Sequence, residues 1–147
     1  MANYAEVSDG NAYFSTQLNT SAWDKASDED KNAALNMSTL AIDALNYIGD
    51  LNDTDQVNQF PRSDDTIVPT NIVYACLENA KALLDGIDTE LEAEGARMLS
   101  VGYGSVRSTY DPNRIPMHFL HGIASAKTWL LIKPYLRDVQ SIKLNRV

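Results

Sequence analysis

Apolar residues recur at helical spacing along two long stretches of the chain. Between Asp28 and about Tyr47, the residues Ala34, Met37, Ala41, Leu45 and Ile48 fall on one stripe, with Ala33, Leu40, Ala44 and Tyr47 beside it. Asn32, Asn36, Thr39, Asp43 and Asn46 form the opposite stripe and are expected to face water. An apolar arc this wide calls for at least two packing neighbours. Ser27 with Asp30 three residues later resembles a capping box, with aspartate in the usual Glu/Gln place, and Gly49 is positioned to end the helix. The second stretch opens at Pro69, which suits a first helical turn because its missing N–H costs nothing there. It runs to about Asp85 with Ile72, Val73, Cys76, Leu77, Ala80, Leu83 and Leu84 inward, and Gly86 closes it. Before both, a shorter helix is predicted from Asp9 to about Leu18, using Ala12, Tyr13 and Phe14; NTSAW then breaks it and sets Trp23 ahead of the next helix.

The period then changes. MLSVGYGSVRSTY alternates around Gly102 and Gly104, a pattern that predicts two short strands joined by a glycine-containing turn, a β-hairpin near residues 97–110. Pro116 can start a last helix with Phe119, Leu120, Ile123, Ala126, Leu130 and Leu131 as its apolar positions, Gly122 as its weak point and Pro134 as its stop or kink. The expected fold is mainly α: a small bundle of about four helices over residues 1–136, an inserted β-hairpin and an extended C-terminal tail over 137–147. In the tail, Ile142 and Leu144 alternate with Lys143 and Asn145 and have nothing local to pair with. Such a segment is a frayed terminus or adds a strand to a partner's sheet. Arg137, Ile142, Lys143, Leu144 and Arg146 are therefore the candidate docking residues.

Charge divides the chain unevenly. Residues 1–100 hold 18 Asp/Glu against 5 Lys/Arg, whereas residues 101–147 hold 7 Lys/Arg against 2 Asp/Glu. Such asymmetry suggests a polar interface or an electrostatically distinct tail. It argues against the acidic body gripping phosphates, since duplex affinity comes largely from cations displacing counterions. The ordinary alternative is that acidic loops serve solubility. The single cysteine, Cys76, rules out an internal disulfide and a multi-cysteine zinc site. No stretch approaches a membrane span, and the opening MANYAEVSDG lacks the basic start and apolar run of a signal peptide, so synthesis in the cytosol is expected.

No catalytic constellation emerges, and neither an enzyme activity nor a cofactor is expected. His118 and His121 could share a helix face, yet no Asp or Glu lies between Asp111 and Asp138 to complete a metal site or orient a base. The acidic run Asp88, Glu90, Glu92 and Glu94 lacks the glycine placement of a calcium loop and is read as a solvated helix end or loop. Cys76 is most simply a buried small hydrophobe.

A series of motifs runs in order along the chain: Tyr4, Val7, Ala12, Tyr13 and Phe14 at the start, then Ala22-Trp23, then Lys31, Ala33, Ala34 and Leu35. It continues through Gln56 and Phe60-Pro61-Arg62, then Ile67-Val68-Pro69, VGYGSVRSTY and Pro134-Tyr135-Leu136. In this order the motifs resemble a family of phage proteins that carry the label DnaT-like single-stranded-DNA-binding, with phenylalanine in place of that family's tryptophan at Phe60, and also resemble the head-to-tail connectors of tailed phages. What the resemblance implies is a virion protein made in the host bacterial cytoplasm, a homo-oligomeric ring of about twelve copies. The ring would lie between the portal protein and the next tail, stopper or nozzle component and continue the DNA channel without specific binding or membrane contact. Within that reading, Gln56, Phe60, Pro61 and Arg62 form a structural loop, Phe60 plugging against the two long helices while Arg62 reaches a carboxylate or helix C-terminus. Asp85, Asp88, Glu90, Glu92 and Glu94 are candidate channel-lining acids. The alternative is single-stranded-DNA binding in phage replication.

Overall fold

The hydroxyl of Ser27 accepts a hydrogen bond from the backbone N–H of Asp30 at 3.1 Å, and this cap starts the longest helix among the described residues. The computed structural model describes residues 2–97, 100–103, 106–109 and 116–137. Among these are seven helices: α1 (Val7–Phe14), α2 (Ser21–Lys25), α3 (Asp28–Asp43), α4 (Thr70–Leu84), α5 (Thr89–Arg97), α6 (Met117–Leu120) and α7 (Ala126–Ile132). A 3₁₀ turn, Lys133–Tyr135, follows the last. The protein is mainly helical, as the periodicity implies, with more and shorter helices than the four expected.

The extra helices have local causes. Trp23 lies inside α2 rather than ahead of a helix, and Asp88 caps a separate α5 by accepting from the N–H groups of Glu90 and Leu91. The last expected helix is split into α6 and α7 because Gly122 adopts φ +76°, and Ser125 caps α7 through the N–H of Thr128. Ser100–Tyr103 and Val106–Thr109 run antiparallel, Ser100 opposite Thr109 and Tyr103 opposite Val106. The turn that would make a hairpin of them lies outside the described residues, as do residues 138–147 of the expected tail.

Helix α4 is the centre of the packing, flanked by α3 and α7. Ile72, Ala75, Cys76, Leu77 and Ala80 are buried with Leu35 and Ile42 of α3 and with Ile123 and Ile132 near and on α7. Each such buried Leu or Ile contributes about 1.5–3 kcal/mol relative to exposure. Polar groups join this core on hydrogen-bonded terms. Ser38 donates to the carbonyl of Cys76 at 2.8 Å, Thr128 donates to that of Ala75 at 2.9 Å, and Asn79 accepts from the N–H of Ala124 at 2.9 Å.

Two expectations about α3 need correction. Its buried face is Lys31, Ala34, Leu35, Ser38, Thr39 and Ile42, whereas Met37, Leu40 and Ile48 are exposed. Thr39 enters the core because its hydroxyl donates to the Leu35 carbonyl and accepts from the N–H of Tyr4, so burial leaves it satisfied. The helix also stops at Asp43, short of Tyr47, because tertiary pairing captures the next residues. Tyr47 bridges Leu136, Arg137 donates its N–H to the Asn46 carbonyl, and Ile48 donates to that of Tyr135. On α7, Leu130 stands out in solvent and Leu120 of α6 is largely exposed, contrary to their expected inward places.

At the far end, Trp23 lies across Gly10 of α1. A Cβ there would sit 2.2 Å from the indole ring, so only glycine allows this approach. The indole N–H donates to Asn11 Oδ1 at 3.0 Å, and Phe14 packs 5.0 Å away between ring centroids.

Candidate functional site

Three groups of residues carry the functional expectations. The first is the loop joining α3 to α4. Gln56 builds it from within: its amide donates to the carbonyls of Asn58 (2.8 Å) and Pro61 (3.0 Å), and its oxygen accepts from the N–H of Asp53 at 3.1 Å. This holds Phe60 in a cage of tyrosines, Tyr4, Tyr47 and Tyr135, at centroid distances of 6.1, 4.7 and 5.6 Å with edge-to-face geometry. The Phe60–Pro61 bond is cis. The ring is buried, as expected of a plug, but its aromatic partners are tyrosines from the N-terminus, the α3 exit and the 3₁₀ turn.

Arg62 reaches carbonyls and an amide rather than a carboxylate. Its guanidinium donates to the Gln59 side chain at 2.7 Å, to the Ile48 carbonyl at 3.3 Å and to the Gly49 carbonyl. It thereby closes the turn after α3, where Gly49 sits at φ +84° and a Cβ would run into the Ser63 hydroxyl. Burial pushes the hydroxyls of Tyr4 and Tyr47 well above the ordinary phenol range, and Asp43 raises Tyr4 further through a direct hydrogen bond.

The second group is acidic. Asp85 lies at the C-cap of α4, Asp88 caps α5, and Glu90, Glu92 and Glu94 project from α5; all five are exposed. Thr89, Glu90, Ala93 and Glu94 face Phe119, Leu120 and Gly122 across an open groove of about 330 Å³. The third group is the C-terminal stretch. Of its candidate docking residues, Arg137 is exposed in side chain and tethered through its backbone to Asn46; Ile142, Lys143, Leu144 and Arg146 lie outside the described residues.

The residues that the sequence pattern did not single out are the internal cation partners. Glu78 is 2% exposed and accepts from Lys127 at 2.7 Å and Tyr13 at 2.8 Å, while Lys81 pairs with its other oxygen at 3.1 Å. Lys31 is 8% exposed, lies 5.3 Å over the Trp23 ring and reaches Asp28 at 3.7 Å. A glutamate and a lysine on helix faces otherwise rich in Ala and Leu are the signal that could have exposed these partners. His121 stacks on Trp129 at 5.1 Å, and burial lowers the His118 imidazole below its ordinary range. Among the described residues no group of three His, Cys, Asp or Glu converges on a metal position, and no helix is long and apolar enough to cross a membrane.

Residues 2–146 match the model of a family described as "Putative DnaT-like ssDNA binding protein". Among curated proteins and solved structures, none matches the chain.

Proposed function

We propose, from the premise that this chain belongs to the DnaT-like ssDNA binding protein family, that it works as a structural subunit and catalyses nothing. Copies assemble into a ring of about twelve at the head–tail interface of a tailed phage, between the portal and the next tail or stopper protein. DNA passes through the channel without being held. The observation that carries this reading is where the positive charge goes. Of the cations whose side chains are described, Lys31, Arg62, Lys81 and Lys127 are engaged within their own chain, on Asp28, backbone carbonyls and Glu78, and Lys25, Lys133 and Arg137 are exposed. The acids Asp85, Asp88, Glu90, Glu92 and Glu94 meanwhile face outward. A surface that binds phosphates needs the reverse arrangement, with cations free to displace counterions. An acidic wall along α5 suits a channel whose cargo must keep moving. The tail, with Arg137 at its root, is the segment that would reach the portal or a neighbouring subunit.

The second reading, single-stranded-DNA binding in phage replication, is the one the family description favours. Its cations would be the exposed Lys133 and Arg137, continued by Lys143 and Arg146 along the sequence.

Fluorescence anisotropy with a labelled oligonucleotide across a salt series separates the two. The structural reading expects negligible binding at about 150 mM salt. Micromolar affinity under that condition would establish the second reading in its place. In infected cells, deletion of residues 138–147 is expected to leave the melting temperature unchanged while abolishing incorporation into heads. Normal incorporation of the truncated chain would sink the docking role of the tail.

A further inference from the structure

Helix α3 turns a stripe of apolar side chains away from the core it helps build. Met37 is 56% and Leu40 49% exposed, and Ala33 and Ala44 are exposed in line with them, a spacing that puts all four on one helix face. Acids crowd one end of this face, because Asp28, Glu29 and Asp30 occupy the first turn and are exposed. A second outward face has the opposite charge. On α7, Leu130 is 70% exposed, with Ala126 one turn before it and the exposed Lys133 and Arg137 after it. Between Asp111 and Asp138 there is no carboxylate to neutralise them. Both helices pack on α4 far more than on each other, so these are separate surfaces of one subunit.

The two faces are also built alike. Glu29 lies about 12 Å along the α3 axis from Met37, and Lys133 follows Leu130 at the end of α7, with Arg137 just past the 3₁₀ turn. Each surface therefore has an apolar centre with charge toward one end. Pairing either face with itself leaves its charged end with no opposite charge to meet; pairing one with the other joins unlike charges.

We propose that the α3 face of one copy docks against the α7 face of the next, Leu130 on Met37 and Leu40, with Lys133 and Arg137 toward Glu29 and Asp30. The contact is heterologous, so it propagates from copy to copy and closes into a ring when the rotation permits. It rests on the assembly reading above and names the surfaces that assembly uses.

The test is sedimentation velocity on the full-length chain, alone and as Met37→Glu and Leu130→Glu. All four sites, counting the second variants of each face, Leu40→Glu and Lys133→Glu, are exposed, and unchanged circular-dichroism melts confirm the folds. The wild type is expected to form species larger than a dimer, and each variant to remain a monomer. Mixed in equal amounts, the two variants retain one good face each and should give a one-to-one dimer and nothing larger. Self-association of Leu130→Glu alone, or wild-type assembly by both variants, would overturn the proposed faces while leaving ring assembly intact. A wild type that stays monomeric at every concentration would overturn the proposal and the assembly reading together.

Discussion

Glu78 and Asp43 are two carboxylates drawn into the same small protein, and their surroundings push them in opposite directions. Burial alone would raise the Glu78 carboxyl, but hydrogen bonds from Lys127, Tyr13 and Lys81 outweigh it and hold the group below the usual range. Burial likewise raises Asp43, and there the bonds from Tyr4 and the Gln59 N–H do not compensate, so the group stays above its usual range. One Asp43 oxygen has no hydrogen-bond partner among the described residues. Depth therefore does not decide whether a carboxylate is comfortable; the number and charge of its donors do. Glu78 ties α1, α4 and α7 together with three donors, two of them cationic, whereas Asp43 joins the N-terminus to the loop with two neutral ones.

The largest expected effect comes from opening the Asp43 side. Phe60 is 3% exposed and shares its cage with Tyr4, the donor to Asp43. Phe60→Ala is expected to cost about 3–5 kcal/mol in urea unfolding. Water admitted to the cage should also bring the Asp43 titration, followed by NMR, back toward an ordinary carboxylate. A normal melt would mean that the loop closes without its plug.

Next comes Glu78→Gln, expected to cost about 1–3 kcal/mol because charge-assisted bonds are lost while Lys81 and Lys127 can turn toward water. The pH dependence has a definite sign. The folded value of Glu78 lies below the unfolded value near 4.5, so its contribution is fully present above pH 4.5 and fades as pH falls through the folded value. Stability curves of wild type and variant should therefore converge on acidification. Parallel curves down to the acid limit would count against the depressed titration.

Asp43→Asn should have the smallest effect. A group whose folded value is raised above 3.8 loses stability when it ionises, so the wild type bears that cost at neutral pH and is relieved of it toward pH 3.8. The amide keeps an acceptor for Tyr4 and Gln59, and the net change at neutral pH should stay within about 1 kcal/mol. If calorimetry shows a loss as large as that of Glu78→Gln, the contrast between the two sites collapses.

Much of the helical frame was legible in the sequence. The period of α4 and the Ser27 cap are local signals, and local signals survive folding. Phe60 was recognisable because a lone aromatic beside proline in a polar loop has few other uses. What escaped was long-range. The inward turn of Thr39 depends on Tyr4, and the early end of α3 depends on the segment from Tyr135 to Arg137; neither partner is marked by spacing. Burial of Glu78 depends on Lys127, far along the chain, which no local pattern places beside it. The acids Asp88, Glu90, Glu92 and Glu94 are exposed, as their reading as a solvated helix end or loop implies, but a separate α5 escaped, since Asp88 as its cap resembles any acid in an acidic run.

Cys76 carries a consequence of a different kind. It is the sole thiol of the chain, fully buried between α3 and α4, and burial raises it away from the reactive thiolate form. A thiol reagent can therefore reach it only when the central helices separate. The rate of labelling becomes a clock for that opening, readable by mass spectrometry one chain at a time. Because the clock is internal, it runs equally well in a free subunit and in one held among many. Slower labelling in the latter would measure, without any engineered probe, how far assembly steadies the helices at the centre of each subunit.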